Sequence, residues 1–146
     1  MILSRGDMWN IWNETDHFII TTNRIIKRNG AVVMGRGIAK TVRDKWPGVD
    51  VQFGNAIKAN INEFGFYGVI LGKKLGLFQV KEHWASKADP GLISASSSAL
   101  NEYACTYPDQ RFDLNFPGIG NGQLKYEDVL PLLADLPDNV HIWTFE

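Results

Sequence analysis

The sequence predicts an α/β fold in which helices cover both faces of one sheet. Short apolar, β-branched runs alternate with patterns of helical period, as expected for strands separated by crossover helices. The length of 146 residues fits one domain, 1–146, with a sizeable core. Glycine-rich turns follow two of the predicted strands. Because ligands of open α/β sheets bind beyond the carboxyl ends of the strands, these turns are candidate binding loops.

Six apolar runs are predicted strands. The run 111–116 alternates apolar and polar residues, which is typical of a half-buried strand. Two neighbouring runs flank the turn GKK (72–74) and indicate a hairpin. In order, the predicted strands are 1–4, 17–22, 66–71, 75–80, 111–116 and 140–145.

Four helices are predicted from apolar side chains that recur every three or four residues. Ile38, Val42 and Trp46 define the first, over 37–46. A weaker repeat of Phe53, Ile57 and Ile61 defines the second. The predicted apolar faces of the last two helices are Leu92, Ala95, Ala99, Leu100, Tyr103 and Ala104, and then Val129, Leu132, Leu133 and Leu136. Pro131 lies in the first turn of the last helix, where a missing N–H is tolerated.

Composition excludes several classes of protein. The net charge is −1, so the whole chain offers no basic field to nucleic acid. A single cysteine, Cys105, rules out an internal disulfide and a multi-cysteine zinc site. No apolar run approaches the ~20 residues of a membrane span, and the N-terminus lacks a signal-peptide layout. We expect a cytoplasmic protein with no membrane partner, no metal and no cofactor.

The two glycine-rich loops predict an anion site. The first is NGAVVMGRGIA (29–39) and the second is GIGNG (118–122). A glycine-rich turn that leads into a helix exposes main-chain N–H groups and the positive end of the helix dipole, which suits phosphate. Glycine also lets the main chain approach a diphosphate closely. The alternative is that both loops are merely tight turns; the occurrence of two loops of one kind, both after strands, leaves a diphosphate site and this alternative both open. Neither is a Walker loop.

Five motifs together resemble the macrodomain, the ADP-ribose-binding module, over nearly the whole chain. They are RGDM (5–8), ITTN (20–23), VMGRGIA (33–39), VKEHW (80–84) and GIGNGQLKYEDV (118–129). The combination is most similar to one branch of the family. That branch contains antitoxin macrodomains, which remove ADP-ribose from DNA bases, and the branch is related to the terminal ADP-ribose glycohydrolases. The resemblance implies a three-layer α/β/α sandwich around a central mixed, mostly parallel sheet.

The resemblance also implies which residues hold ADP-ribose. Asp7 would accept a hydrogen bond from the adenine amine, with a plain turn aspartate as the alternative. Asn23 would bind the distal ribose, with strand-end capping as the alternative. The first loop would bind one phosphate, and the second would close over the other phosphate and the distal ribose. The implied set is Asp7, Met8, Asn23, Met34, Gly35, Arg36, Gly37, Ile38, Gly118, Ile119, Gly120, Asn121 and Gly122.

Lys81 and His83 are the implied catalytic residues. In the matching branch, the lysine of this element acts on the anomeric carbon of the distal ribose. A neutral amine is a nucleophile, so the pKa of Lys81 would have to fall through burial or nearby positive charge, for which Lys87 and the N–H groups of the first loop are candidates. His83 could act as acid or base, and Trp84 could shape the site or simply pack. The alternative for Lys81 is an ordinary solvated lysine.

Three departures from the family pattern leave the reaction open. Thr21 stands at an asparagine position, the segment 24–33 is longer and more basic than in many members, and Gly122 replaces the aspartate that some glycohydrolases pair with their lysine. Hydrolysis of an ADP-ribosyl linkage therefore competes with an ADP-ribose 1''-phosphate phosphatase and with a non-catalytic reader. The expected partner is ADP-ribose or ADP-ribosylated DNA or protein, bound by a monomer.

Basic and aromatic side chains near the expected cleft are candidates for contacts with nucleic acid. A basic rim would suit ADP-ribosylated DNA, with scattered solvated charges as the alternative. Trp9 and Trp12 could stack on a base, although tryptophan more often packs in a core. The candidate rim is Arg24, Lys27, Arg28, Lys81 and Lys87.

Overall fold

The structure, a computed structural model, describes residues 1–60, 69–71, 73–83 and 85–145. Ile61, the first part of the predicted strand 66–71, the first residue of the GKK turn and Trp84 lie outside these residues. Within them, no helix is long and apolar enough to cross a membrane.

Six strands form one sheet in the described part of the chain. Their order across the sheet is β1-β6-β5-β2-β4-β3. All neighbouring pairs are parallel except β3 and β4, which are antiparallel at one edge. The predicted mixed, mostly parallel sheet is confirmed, and five carboxyl ends meet at one edge. The strands are β1 (Ile2–Arg5), β2 (His17–Asn23), β3 (Val69–Leu71), β4 (Leu75–Lys81), β5 (Phe112–Asn115) and β6 (Val140–Thr144).

The helices connect the strands in the predicted order. The predicted last helix is shorter than expected, because its second half, Leu130–Leu133, is a 3-10 turn. Two further 3-10 turns are Met8–Ile11 and Gly120–Gly122. The α-helices are α1 (Gly37–Lys45), α2 (Val49–Asn60), α3 (Pro90–Thr106) and α4 (Tyr126–Val129).

Two apolar cores lie on opposite faces of the sheet, which makes the molecule three-layered. Successive side chains of a strand point to opposite faces, so β2 sends Ile19 to one core and Phe18 and Ile20 to the other. Helices α3 and α4 cover the first core, and α1 and α2 cover the second. The predicted α/β/α sandwich is therefore confirmed.

Two predictions of side-chain burial were wrong, in each case because a polar side chain is hydrogen-bonded within the protein interior. Asp113 on β5 is fully buried, not solvent-facing, since it accepts hydrogen bonds from Arg111 Nε at 2.8 Å and from Trp143 Nε1 at 2.7 Å. On α3, Ala95 and Tyr103 are exposed and serines are buried instead. The Ser96 hydroxyl donates to the main-chain oxygen of Gln79 at 2.7 Å, which satisfies it inside the core.

Candidate functional site

The first glycine-rich loop leaves the N-terminus of α1 open. Arg36, in an extended conformation, precedes the helix, and its side chain does not cap the first N–H groups. Gly37 begins the helix with φ of 60°, a left-handed conformation that disfavours residues with a Cβ. Among the described residues, no side chain caps the first N–H groups of this helix, so these groups and the helix dipole could serve an anion.

The second glycine-rich loop forms its own short helix. Gly118 has φ of 82°, and a Cβ there would lie 2.7 Å from Ile93 Cδ1, so the turn packs tightly on α3. The next residues form the 3-10 turn Gly120–Gly122, and α4 begins only at Tyr126. The predicted order of strand, glycines and helix is present, with the 3-10 turn and residues 123–125 between Gly120 and α4. In the described part of the chain, the N–H groups of Gly120 and Asn121 have no acceptor.

The two loops lie next to each other. A Cβ placed on Gly37 would be 3.5 Å from the side-chain Nδ2 of Asn121, which is ordinary van der Waals contact. The N-terminus of α1 and the 3-10 turn thus meet at the sheet edge where β2, β4 and β5 end. Two sets of unpaired main-chain N–H groups are brought together there.

Lys81 links this junction to the sheet. It is the last residue of β4, it is 7% exposed, and its Nζ donates a hydrogen bond of 2.9 Å to the main-chain oxygen of Asn121. Among the described residues it has no carboxylate within ion-pair distance. Burial, and then the positive charge of Arg36, lower the pKa of Lys81 below its ordinary value. Sequence reasoning offered Lys87 as a source of charge, but the nearby cation is Arg36.

Asn23 lies directly beside Lys81. The two residues are partners across β2 and β4, after an irregularity in register between Thr22 and Asn23. The Oδ1 atom of Asn23 is buried and has no hydrogen-bond partner in the described residues, so it does not cap the strand end. An unsatisfied buried acceptor costs about 1–3 kcal/mol, which makes a ligand hydroxyl a favourable partner.

The early Gly-Asp element lies at the carboxyl end of β1. The Asp7 side chain is exposed and accepts a hydrogen bond of 2.9 Å from the main-chain N–H of Trp9, so it caps the 3-10 turn that follows. The side chains of Met8 and Met34 are buried in the core between the sheet and α1, at 4% and 2% exposure. Because these side chains are buried, Met8 and Met34 could contact a ligand only through their main-chain atoms.

Phe145 was missed by sequence reasoning. Its ring is 83% exposed immediately after β6. The main-chain N–H of Gly6 donates to the oxygen of Thr144 at 2.9 Å, which brings Phe145 to the same sheet edge as Asp7. An apolar residue that ends the last predicted strand was the signal that could have found it.

Of the five residues of the predicted basic rim, Lys27, Arg28 and Lys87 are exposed. Lys81 is buried, and the Arg24 guanidinium pairs with both carboxylate oxygens of Glu82 at 3.0 and 2.8 Å. The other predicted nucleic-acid contacts, from Trp9 and Trp12, are not supported, because these rings pack against each other and against Phe18 and Trp46.

His83 lies in the turn after β4, two residues beyond Lys81. Its ring is exposed, and its Nδ1 accepts a hydrogen bond of 3.1 Å from the main-chain N–H of Ala85. The ring is thus oriented by the turn in which it lies.

Packing explains the glycine at position 122. A Cβ on Gly122 would lie 3.0 Å from the Cβ of Ala88, tighter than ordinary contacts, and the Gly122 oxygen also accepts a hydrogen bond of 2.9 Å from Ala88 N–H. An aspartate could not be added here without moving the segment before α3. Thr21, another of the three departures, exchanges hydrogen bonds of 2.9 and 2.8 Å with the Asn115 side chain.

Comparison with known proteins identifies the fold. No protein-family model matches the sequence, and no curated protein matches it. Solved structures do match: the structure of Thermosipho africanus DarTG in complex with ADP-ribose has a TM-score of 0.74 and 23% identity. That match covers 97% of this chain and 40% of the Thermosipho chain, so this chain spans less than half of that protein.

Two isolated macrodomains match over their whole length. The macrodomain of Thermus aquaticus DarG has a TM-score of 0.72 and 21% identity, covering 99% of this chain and 97% of its own. The macrodomain of Mycobacterium tuberculosis DarG has a TM-score of 0.72 and 23% identity, covering 99% of each chain. At such identities the similarity establishes that the chain has the macrodomain fold.

Proposed function

We propose that this chain, a protein of macrodomain fold, binds ADP-ribose at the junction of its two glycine-rich loops and hydrolyses an ADP-ribosyl linkage there. The observation that carries the proposal is the buried amine of Lys81, which is hydrogen-bonded to the second loop. Its strand neighbour Asn23 has a buried Oδ1 with no hydrogen-bond partner among the described residues. A buried lysine without a carboxylate partner is unfavourable unless it serves a ligand or a reaction. The Thermosipho africanus neighbour was solved with ADP-ribose, which agrees with this ligand.

The N–H groups of the two loops support a proposed position for each part of the ligand. The N–H groups of Gly35, Arg36, Gly37 and Ile38 would bind one phosphate at the start of α1. The second loop, Gly118 to Gly122, would cover the other phosphate and the distal ribose. Asn23 would accept a hydrogen bond from a distal ribose hydroxyl. Asp7 would accept one from the adenine amine, with the exposed ring of Phe145 available for stacking on the base.

Lys81 would then act as the nucleophile. Its neutral amine forms a bond to the anomeric carbon of the distal ribose as the bond from that carbon to the modified macromolecule breaks. The electron pair of the broken bond leaves with the macromolecule, which takes up a proton. Water then adds to the anomeric carbon, releases ADP-ribose and restores the amine. His83, close by in the chain, would exchange protons with the leaving group or with water.

An ADP-ribose 1''-phosphate phosphatase is the competing activity. It would use the same ligand pocket but would not need a neutral lysine amine. The lowered pKa of Lys81 favours attack by the amine over this alternative, because a phosphate ester in the pocket would be held better by a charged lysine.

Binding of ADP-ribose is tested by calorimetry on the wild type and on Gly35→Val. Among the described residues, no atom lies within 4 Å of a Cβ added to Gly35, and its φ is not positive, so the substitution should leave the fold intact. The added side chain would occupy the space through which the phosphate approaches. We expect micromolar or tighter binding by the wild type, at least a tenfold loss in Gly35→Val, and equal melting temperatures.

Two results would contradict the binding proposal. One is an absence of heat with wild-type protein at millimolar ADP-ribose. The other is unchanged affinity in Gly35→Val, which would mean that the ligand does not approach the first loop.

The reaction is tested with three substrates: ADP-ribosylated single-stranded DNA, a peptide ADP-ribosylated on an acidic residue, and ADP-ribose 1''-phosphate. Release of ADP-ribose from either of the first two that depends on Lys81 supports hydrolysis by the amine. Release of phosphate from the third that survives Lys81→Met supports the phosphatase. Binding without turnover of any substrate supports a reader.

A further inference from the structure

Helix α2 meets the segment that leads into the first glycine-rich loop at a glycine. Gly54 is buried in the middle of the helix, and a Cβ built on it would overlap the main-chain oxygen of Gly30 and lie 2.9 Å from its carbonyl carbon. The obstacle is main chain, which cannot turn aside as the end of a flexible side chain can. Only glycine at position 54 therefore lets the helix and the segment lie this close.

Glycine is an unfavourable choice for the helix itself. The residues Val49–Asn60 are helical, and glycine in a helix interior is less favourable than alanine because it has the most main-chain freedom to lose. The side chains of Phe53 and Ile57, on either side of it in the sequence, pack in the core beneath α2. The close approach to Gly30 is thus a physical reason for a residue that weakens the helix.

The contact lies on a segment with little room to move. Val32 is fully buried and Met34 is 2% exposed, both in the core between the sheet and helices α1 and α2. The N–H of Val32 also donates a hydrogen bond of 3.0 Å to the main-chain oxygen of Asp50, in the first turn of α2. Because a close-packed interior transmits strain, a displacement of Gly30 would pass along this segment to Gly35.

We propose that Gly54 is a positioning residue for the phosphate-binding part of the site: by admitting the Gly30 carbonyl, it sets where the first loop presents the N–H groups of Gly35 and Gly37. This inference rests on the proposed function, in which those groups bind a phosphate of ADP-ribose. Hydrogen bonds weaken steeply when donor and acceptor are misaligned, so a small displacement of the loop weakens the phosphate contacts. Helix α2 makes none of the ligand contacts assigned above and acts only through the loop.

The test is Gly54→Ala, which adds the Cβ while favouring the helix. We expect ADP-ribose affinity, measured by calorimetry, to fall about fivefold or more as the phosphate contacts are misaligned. Asn55→Ala is the matched control, because it places the same residue at the next position of α2, which is exposed. Val140→Ala is the stability control, because it opens a cavity at the first residue of β6, in the core on the other face of the sheet.

Both controls should keep the wild-type affinity, although Val140→Ala should lower the melting temperature. An equal loss of affinity in Val140→Ala would mean that affinity follows stability rather than loop position, and would overturn the inference. Equal affinities in Gly54→Ala and the wild type would overturn it as well.

The second readout is the position of the loop in ligand-free protein, followed by the ¹⁵N–¹H resonances of Gly35 and Gly37. Gly54→Ala should shift both resonances, and Val140→Ala should leave them in place. If Gly54→Ala does not fold, Gly30→Ala replaces it, because Gly30 has φ of 86° and alanine there strains the same contact from the loop side. Unshifted resonances would contradict the inference. If the wild type binds no ADP-ribose, the proposed function fails, but the resonances still decide whether Gly54 positions the loop.

Discussion

The Nζ of Lys81 lies 2.9 Å from the main-chain oxygen of Asn121, 40 residues further along the chain. This contact joins the carboxyl end of β4 to the second glycine-rich loop. It holds an amine that is nearly excluded from water against the second loop. Removing the amine should therefore affect a reaction there far more than the fold.

Substitution of Lys81 by Met should abolish hydrolysis and preserve binding. The variant keeps an unbranched side chain of similar length in the buried site but has no amine. We expect turnover of the ADP-ribosylated substrate to fall by about 100-fold or more, the lower end of what a positioned acid–base group contributes. ADP-ribose affinity by calorimetry should stay within a few-fold. Lys87→Met, at an exposed lysine, is the matched control, and equal turnover in both variants would exclude Lys81 as nucleophile.

Stability should depend on pH in the alkaline range because of Lys81. Its folded pKa lies below the ordinary value of 10.5, so between these two values the unfolded chain binds more protons than the folded one. The free energy of unfolding therefore gains a contribution that rises with pH through that window and is constant on either side. Urea unfolding across the range should show this rise in the wild type relative to Lys81→Met. Parallel curves for the two proteins would contradict the lowered pKa.

Discrimination between nucleobases should depend on Asp7. A carboxylate accepts from the amine of adenine but repels the carbonyl at the same position in hypoxanthine, so the wild type should prefer ADP-ribose over inosine diphosphate ribose by about tenfold or more. Asp7→Asn retains an oxygen to cap the Trp9 N–H, but its amide can also donate, so the preference should shrink. Calorimetry with both nucleotides measures this preference as the ratio of the two affinities. The same preference in both proteins would show that adenine is recognised elsewhere.

The close packing of Gly122 should make it intolerant of any side chain. Gly122→Ala should lower the free energy of unfolding by about 1–3 kcal/mol, because its Cβ would meet the Cβ of Ala88 at 3.0 Å. In a double-mutant cycle, Ala88→Gly should relieve part of that loss, so that the double variant is more stable than the sum of the single effects. Additive effects in chemical denaturation would mean that the loop moves away from Ala88 freely.

Much of the fold was predictable because it depends on local patterns. The β-branched runs, the helical repeats such as that of Ile38 and Val42, and the order of elements were read correctly. Among the exceptions were two polar residues that are buried because they hydrogen-bond to partners on other elements or at the strand end. Asp113 is buried because Trp143 and Arg111 bond to it, and Ser96 because Gln79 accepts from it. No periodicity indicates that such partners exist.

The sequence by itself determined the class of fold, the two glycine-rich loops and the identity of the lysine that ends β4. These follow from residue types and from spacings of a few positions, which act on the main chain locally. Only the tertiary structure decided that Lys81 is buried, that Asn121 holds it, and that Arg36 rather than Lys87 is the charge that acts on it. Desolvation and charge–charge repulsion depend on distances in space between residues far apart in the chain, and it is folding that fixes those distances.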